Sequence, residues 1–144
     1  MSIAKEVLSL CEYFMDKEGR SVVHGDYKFK LPYGNKHDVL FLADTKKLNK
    51  SWKRGDPMLH IGSGGEGQLH NRYNDFQDWL KTNKDIEVAQ VSHTPQDMIS
   101  KNHPGHIGFV NGRHRFAVLR DMGLKKIPVA VPKGQQGLFK QRFG

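Results

Sequence analysis

Runs and alternations of apolar residues along the chain predict five β-strands. The stretch "YKFKL" at residues 27–31 alternates large apolar side chains with lysine, which is typical of a half-buried strand. The stretch "DVLFLAD" at 38–44 holds consecutive apolar residues and predicts a buried strand. Three further strands are predicted at residues 86–92, 106–110 and 125–131.

Apolar residues at helical spacing predict helices between these strands. A helix is expected over residues 3–15 because its apolar positions repeat every three or four residues. A short helix is expected within residues 74–83, and "TPQD" at 94–97 has the residue types of a helix start. The last predicted helix runs from Arg113 to Met122 and ends before a glycine.

Three segments lack a clear period. Residues 45–56, "TKKLNKSWKRGD", are polar and basic, and they are expected to form a loop whose single tryptophan is anchored in the core. Residues 60–68 hold four glycines in six positions, but the segment lacks the lysine and the hydroxyl residue that end a P-loop. Residues 133–144 are basic and glycine-rich, and a loosely ordered tail is expected there.

Composition narrows the class of protein and of partner. A chain of 144 residues is expected to form one domain over residues 1–144. Its 23 Lys and Arg against 15 Asp and Glu give a net charge of +8, which favours an anionic partner. The single cysteine indicates a reducing compartment. The absence of a signal-peptide pattern and of an apolar run near 20 residues predicts a cytoplasmic protein that does not bind membranes.

The start of the last predicted helix carries an electrostatic conflict. Arg113, His114 and Arg115 follow Gly112 directly, where the positive end of the helix dipole would favour acidic residues. An anion bound by these side chains and by the free backbone N–H groups would remove the conflict. The sequence therefore predicts an anion site at this turn.

The basic stretch allows two interpretations. Its cations could follow a nucleic-acid backbone while the tryptophan stacks on a base, or the segment could be a solvated loop. The candidate nucleic-acid-binding residues are Lys46, Lys47, Lys50, Trp52, Lys53 and Arg54.

The stretch "GFVNGRHRFAVLRDMGLKKIPVAV" resembles the second conserved box of the ParB/sulfiredoxin-like superfamily. In that superfamily a strand enters a glycine turn, and a helix and an "IPV" strand follow. With weaker matches upstream, the resemblance covers about residues 38–132. It implies an α/β (α+β) fold with a mixed sheet flanked by helices, here with an extra N-terminal helix and strand before the core. It also implies phosphate binding by Asn111, Gly112, Arg113, His114 and Arg115.

The resemblance implies a function on nucleic acid, with DNA preferred over RNA, or on a nucleotide. The expected activity is that of a DNase that binds or hydrolyses ATP, with His114 as general acid–base and Glu66 or Asp44 as the metal-holding or activating carboxylate. ATP and Mg²⁺ are the expected cofactors, and the histidine spacings predict no all-protein metal site. A non-catalytic nucleotide- or DNA-binding regulatory module and a small-molecule kinase remain as alternatives.

Two departures narrow the implied activity. Sulfiredoxins carry their essential cysteine within the turn, where this sequence has Arg113, so sulfiredoxin activity is not expected. Partition proteins of the superfamily continue into DNA-binding and dimerisation regions, so a complete partition protein is not expected either.

Overall fold

The structure is a computed structural model that describes residues 12–94 and 105–144. Residues 3–11 of the first predicted helix, and the helix start predicted after Thr94, lie outside the described residues. The end of that first helix is predicted wrongly, because Tyr13–Met15 is a strand that pairs with Val22–His24. The apolar spacing that suggested a helix also fits a short strand with Tyr13 turned inward.

The described chain forms two four-stranded sheets. The strands are β1 (Tyr13–Met15), β2 (Ser21–His24), β3 (Tyr27–Lys30), β4 (Asp38–Asp44), β5 (Asp85–Glu87), β6 (Gln90–Thr94), β7 (His106–Asn111) and β8 (Lys126–Pro132). The first sheet has the order β1-β2-β3-β5, and the second has the order β4-β8-β6-β7. Each sheet contains one parallel pair, β3 with β5 and β6 with β8, among antiparallel pairs. Both sheets are therefore mixed.

In the described part of the chain, four α-helices connect and cover the strands. They are α1 (Thr45–Gly55), α2 (Arg72–Trp79), α3 (Arg113–Asp121) and α4 (Gln136–Phe143). The coarse expectation of a mixed α+β protein is confirmed, whereas the single mixed sheet that was expected is two separate mixed sheets. No helix within residues 12–94 and 105–144 is long and apolar enough to cross a membrane.

Two of these helices replace predicted irregular segments. The loop expected at residues 45–56 is α1, which begins with a side-chain cap from Asp44 and buries Leu48 and Trp52. The loose tail expected at 133–144 is a 3₁₀ turn followed by α4, which buries Phe139 and Phe143. Both predictions fail because a few large side chains bury enough surface to order an otherwise polar segment.

The strand predicted at residues 86–92 is divided between the sheets. Strand β5 ends at Glu87 and β6 begins at Gln90, so the chain changes sheets at Val88 and Ala89. The Val88 N–H donates to Lys30 of β3, and the Ala89 carbonyl accepts from Ala130 of β8. Val88 and Ala89 are both buried, and buried and more exposed residues alternate on either side of them, so the sequence pattern suggests one strand.

A single cluster of buried residues lies under both sheets. Val22, Phe29 and Ile86 enter it from the first sheet, and the second sheet adds residues such as Val129. This cluster fixes the positions of the turn before α3 and of the exposed side of α1.

Candidate phosphate-binding turn and basic helix face

The turn between β7 and α3 depends on Gly112. Its φ of +79° lies in the left-handed region, and a Cβ there would lie 2.8 Å from Ala89. The first turn of α3 has no acidic residue, and no side chain caps it in the described part of the chain. The backbone N–H groups at this helix start are therefore offered to solvent or to an anion.

Arg113 and Arg115 flank this helix start and form no ion pair within the described residues. The guanidinium of Arg113 donates to the Leu59 carbonyl at 2.5 Å. Arg115 makes only long contacts, at 3.4 Å to Asn111 Oδ1 and 3.5 Å to the Val88 carbonyl. Its buried Nε has no hydrogen-bond partner. Both arginines retain donors for an anion at the turn.

His114 faces the loop before α2 and is buried. Its Nε2 accepts a hydrogen bond from the Leu69 N–H at 3.1 Å, so the ring proton of neutral His114 lies on Nδ1. Burial lowers the pKa of His114, and the positive charges of Arg113 and Arg72 lower it further. The imidazole holds the loop in place, and its role as general acid–base stays a prediction.

The glycine-rich segment is fastened along α3. Asp121, at the end of α3, accepts hydrogen bonds from the Gly64 N–H at 3.0 Å and from the Tyr73 hydroxyl at 2.7 Å. Arg120 pairs with Asp121 at 2.9 Å and also donates to the Ile61 carbonyl at 2.6 Å. In the sequence, Arg120 and Asp121 are simply neighbours at the end of a predicted helix. Nothing in that pattern indicates that they bind the glycine-rich segment.

The two carboxylates predicted as catalytic lie away from the turn. Asp44 caps α1 through a 2.9 Å hydrogen bond from the Lys47 N–H, and it lines a cavity with Arg120. Glu66 is exposed two residues after Gly64, which is bound at the far end of α3. Asp44 lies beside the end of α3, about 12 Å along that helix from Arg113, and the catalytic roles of both carboxylates stay predictions.

A cleft of about 490 Å³ adjoins the turn at Arg115. Phe76 and Trp79 of α2 form one wall, with their rings stacked 5.6 Å apart. The other lining residues are Lys30, Asp75, Asp85, Ile86 and Glu87. Burial lowers the pKa of Arg115, and the charge of Glu87 partly offsets that effect. Three carboxylates, Asp75, Asp85 and Glu87, thus line the same cleft as Arg115. None of them was predicted from the sequence as a site residue.

The exposed side of α1 is a basic helix face, formed by Lys46, Lys47, Lys50, Lys53 and Arg54. At 3.6 residues per turn these positions fall within an arc of about 120°. The helix contains no carboxylate, and none of the five cations forms an ion pair in the described part of the chain. Arg54 donates to the Gly105 carbonyl, and Lys47 donates to that of Gly144.

Trp52 lies on the opposite side of α1 and has no exposed surface. Its ring packs 4.7 Å from that of Phe109 and 5.8 Å from that of Phe116. In this arrangement the ring is not available to a base. The cations of the basic stretch are thus exposed together, while the tryptophan belongs to the core.

Metal-ligating side chains are scattered. Within residues 12–94 and 105–144, no group of three or more His, Cys, Asp and Glu residues is placed to hold a metal ion.

The fold and these surfaces define a small basic protein of the mixed α+β class. The chain belongs to the plasmid fertility inhibition factor family, whose sequence profile matches residues 40–144. The structure is also similar to that of the oncogenic suppression activity protein, described as a plasmid fertility inhibition factor and solved as a gold(I) cyanide derivative. The match has a TM-score of 0.65 at 14% identity and covers 95% of this chain and 76% of the other. No curated protein matches the sequence.

This membership corrects the resemblance to the ParB/sulfiredoxin-like superfamily and the ParB-like nuclease expected from it. The resemblance was carried mainly by residues 108–131, whereas the fertility inhibition profile extends over residues 40–144. A strand, a glycine turn, a helix and a second strand recur in many α/β folds, so the box alone does not identify a family.

Proposed function

We propose that this protein inhibits plasmid fertility by binding the phosphate backbone of DNA through the basic helix face of α1. The observation that carries the proposal is the set of five exposed cations on one side of a helix without a carboxylate. The buried side of the same helix, around Trp52, fixes the orientation of those cations. A protein bound in this way competes with the transfer machinery for the plasmid DNA.

Electrostatics favour phosphate as the target of this face. Lysine and arginine side chains that neutralise backbone phosphates release condensed counterions, which drives binding without base contacts. The net charge of +8 attracts a polyanion from a distance. The absence of an exposed aromatic side chain on α1 predicts little preference for sequence.

The test is the salt dependence of binding to a labelled DNA duplex, measured by fluorescence anisotropy. Each phosphate contact contributes about 0.9 to the slope of log K against log salt, so Lys50→Gln with Lys53→Gln should lower the slope by about 1.8. The matched control is Lys17→Gln with Lys36→Gln, which removes the same charge from exposed positions outside α1. Equal slopes for the two double variants would contradict the proposal, and a matching RNA duplex tests the preference for DNA.

A second candidate function is nucleotide binding at the turn before α3. It is favoured by the uncapped helix start beside Arg113 and by the aromatic-walled cleft that Arg115 shares with this turn. A nucleotide would place its phosphates on the helix start and its base against Trp79.

Thermal shift with ATP, ADP and adenosine tests this second candidate. ATP and ADP should stabilise the wild type but not Arg113→Ala, and adenosine should have little effect because it lacks phosphate. Arg20→Ala is the control, since Arg20 also donates to a backbone carbonyl, that of Asn35. Equal stabilisation of both variants would refute the assignment. Release of ADP only with a small hydroxyl compound would favour a kinase.

A further inference from the structure

A second cavity lies at the N-terminus of α1, away from the turn at Gly112. It has a volume of about 430 Å³ and is bordered by α1, by the end of α3 and by the turn into β8. The lining residues that bear on a ligand are Asp44, Thr45, Lys46, Arg120 and Lys125.

Thr45 is the unusual member of this lining. The residue is only 5% exposed, and its hydroxyl has no hydrogen-bond partner among residues 12–94 and 105–144, although its backbone N–H donates to the Lys125 carbonyl at 3.0 Å. A buried hydroxyl without a partner costs free energy, and such groups are uncommon in folded proteins. The unpaired hydroxyl indicates that this cavity is suited to a bound group that accepts a hydrogen bond.

The charges around the cavity specify that group further. Lys46 and Lys125 are cations without an ion pair in the described part of the chain, whereas Arg120 is neutralised by Asp121. Asp44 contributes one negative charge, and one of its oxygens caps the helix. Lys46 and Lys125 less Asp44 give the lining a net charge of +1, which matches a single negative charge better than two.

We propose that this cavity binds one phosphodiester group through the Thr45 hydroxyl, Lys46 and Lys125. Because Lys46 also begins the basic helix face, a DNA backbone lying on that face would place one phosphate in the cavity. That DNA supplies the phosphodiester rests on the proposed function, whereas the binding of a phosphodiester group in the cavity does not depend on it. One phosphate bound in the cavity fixes the position of the DNA backbone along α1.

The experiment uses dimethyl phosphate as the phosphodiester and inorganic phosphate as the more highly charged comparison. Binding is followed by NMR chemical shifts and by thermal shift. Thr45→Val removes only the hydroxyl and keeps the shape of the side chain, so its stability without phosphate should equal or exceed that of the wild type. Its affinity for dimethyl phosphate should fall about tenfold, the usual effect of losing a hydrogen bond to a charged group.

Matched variants separate this site from general electrostatics. Lys125→Gln should weaken dimethyl phosphate binding, whereas Lys17→Gln removes the same charge from an exposed position outside α1 and the cavity and should not. Thr82→Val is the control for loss of a hydroxyl, because Thr82 is exposed on another part of the chain. Wild-type affinity in Thr45→Val, tighter binding of inorganic phosphate, or equal losses in the two lysine variants would each overturn the proposal.

DNA titrations keep this inference and the proposed function distinguishable. DNA binding that falls with the Lys50 and Lys53 variants but not with Thr45→Val would overturn the phosphodiester site and leave the proposed function standing. Dimethyl phosphate binding that Thr45→Val weakens, in a protein that does not bind DNA, would support the site and contradict the proposed function.

Discussion

Asp121 illustrates how partly buried polar residues organise this molecule at the residue scale. Its carboxylate accepts hydrogen bonds from a backbone N–H, a phenol and a guanidinium, which belong to the glycine-rich loop, α2 and α3. Burial raises the pKa of Asp121, but the hydrogen bonds from Arg120, Tyr73 and Gly64 outweigh that effect and hold the pKa below its usual 3.8. Burial and the contact with Asp121 also raise the pKa of Tyr73 to about 12. Both pKa shifts depend on the hydrogen bonds that join Asp121 to Arg120, Tyr73 and Gly64.

Asp121→Asn should therefore change both stability and a titration. Loss of the charged acceptor should lower the free energy of unfolding by about 2 kcal/mol at neutral pH. Because the folded pKa of Asp121 is depressed, its contribution is present above the unfolded value of 3.8 and is lost as pH falls through the folded pKa. As pH falls, the free energy of unfolding should therefore decrease less in Asp121→Asn than in the wild type.

The titration of Tyr73 provides an independent readout. In Asp121→Asn its pKa should move from about 12 toward the usual 10.0, as measured by phenolate absorption with Tyr73→Phe as the subtraction control. An unchanged phenol titration would show that Asp121 does not set the Tyr73 environment.

His114→Gln tests the neutral state of the buried imidazole. The Gln side-chain oxygen can replace Nε2 as the acceptor for Leu69, so the fold should be retained. Since the folded pKa of His114 is lowered, wild-type stability from this residue is full above the unfolded value of 6.5 and is lost as pH falls below it. The free energy of unfolding, measured with denaturant at several pH values, should fall less on acidification in the variant than in the wild type. A larger loss in the variant would mean that His114 is charged in the folded protein.

At the element scale, the parts with strong local patterns were predicted and the rest depended on distant contacts. The strands at 38–44 and 106–110, and the helix that begins at Arg113, follow from periodicity and lie where expected. Helix α1 was not predicted, because its stability comes from burying Trp52 against residues far along the chain. Likewise, the candidate turn was visible in the sequence, but the aromatic cleft beside it is lined by residues of α2 and β5 that only the fold brings to Arg115.

The role of the glycine-rich segment also depends on distant contacts, because its glycines allow other residues to pack closely against it. Gly65 has a φ of +91°, and a Cβ there would lie 2.8 Å from the Tyr73 ring. Gly65→Ala should therefore lower the free energy of unfolding by about 1–3 kcal/mol. Gly134→Ala is the matched control, since nothing lies within 4 Å of its Cβ position, and its effect should stay within about 0.5 kcal/mol. Chemical denaturation measures both, and equal effects would argue against a packed loop.

At the scale of the whole molecule, two separate sheets share one buried core. The chain crosses between them at Val88 and Ala89, and Tyr13 of the first sheet hydrogen-bonds Lys126 of the second. No gap in the buried cluster separates the described sheets. The molecule is therefore expected to unfold as one unit.

Single-tryptophan variants test this cooperativity. Trp52 reports on the second sheet and Trp79 on α2 beside the first, and the chain has no other tryptophan. In Trp79→Phe and in Trp52→Phe, fluorescence and far-ultraviolet circular dichroism should give the same denaturation midpoint. Midpoints that differ between the two probes within one variant would divide the chain into two folding units.

The fastening of the glycine-rich segment to α3 has a consequence for how this family can diversify. The segment meets α3 near its start through Leu59 and Leu69, and at its end through Gly64. A residue gained or lost between these points would shift every later contact out of place. We expect relatives to exchange side chains here while conserving length, and to accept insertions at Gly34, where nothing lies within 4 Å of the Cβ position. That turn is also the natural position for a fused label.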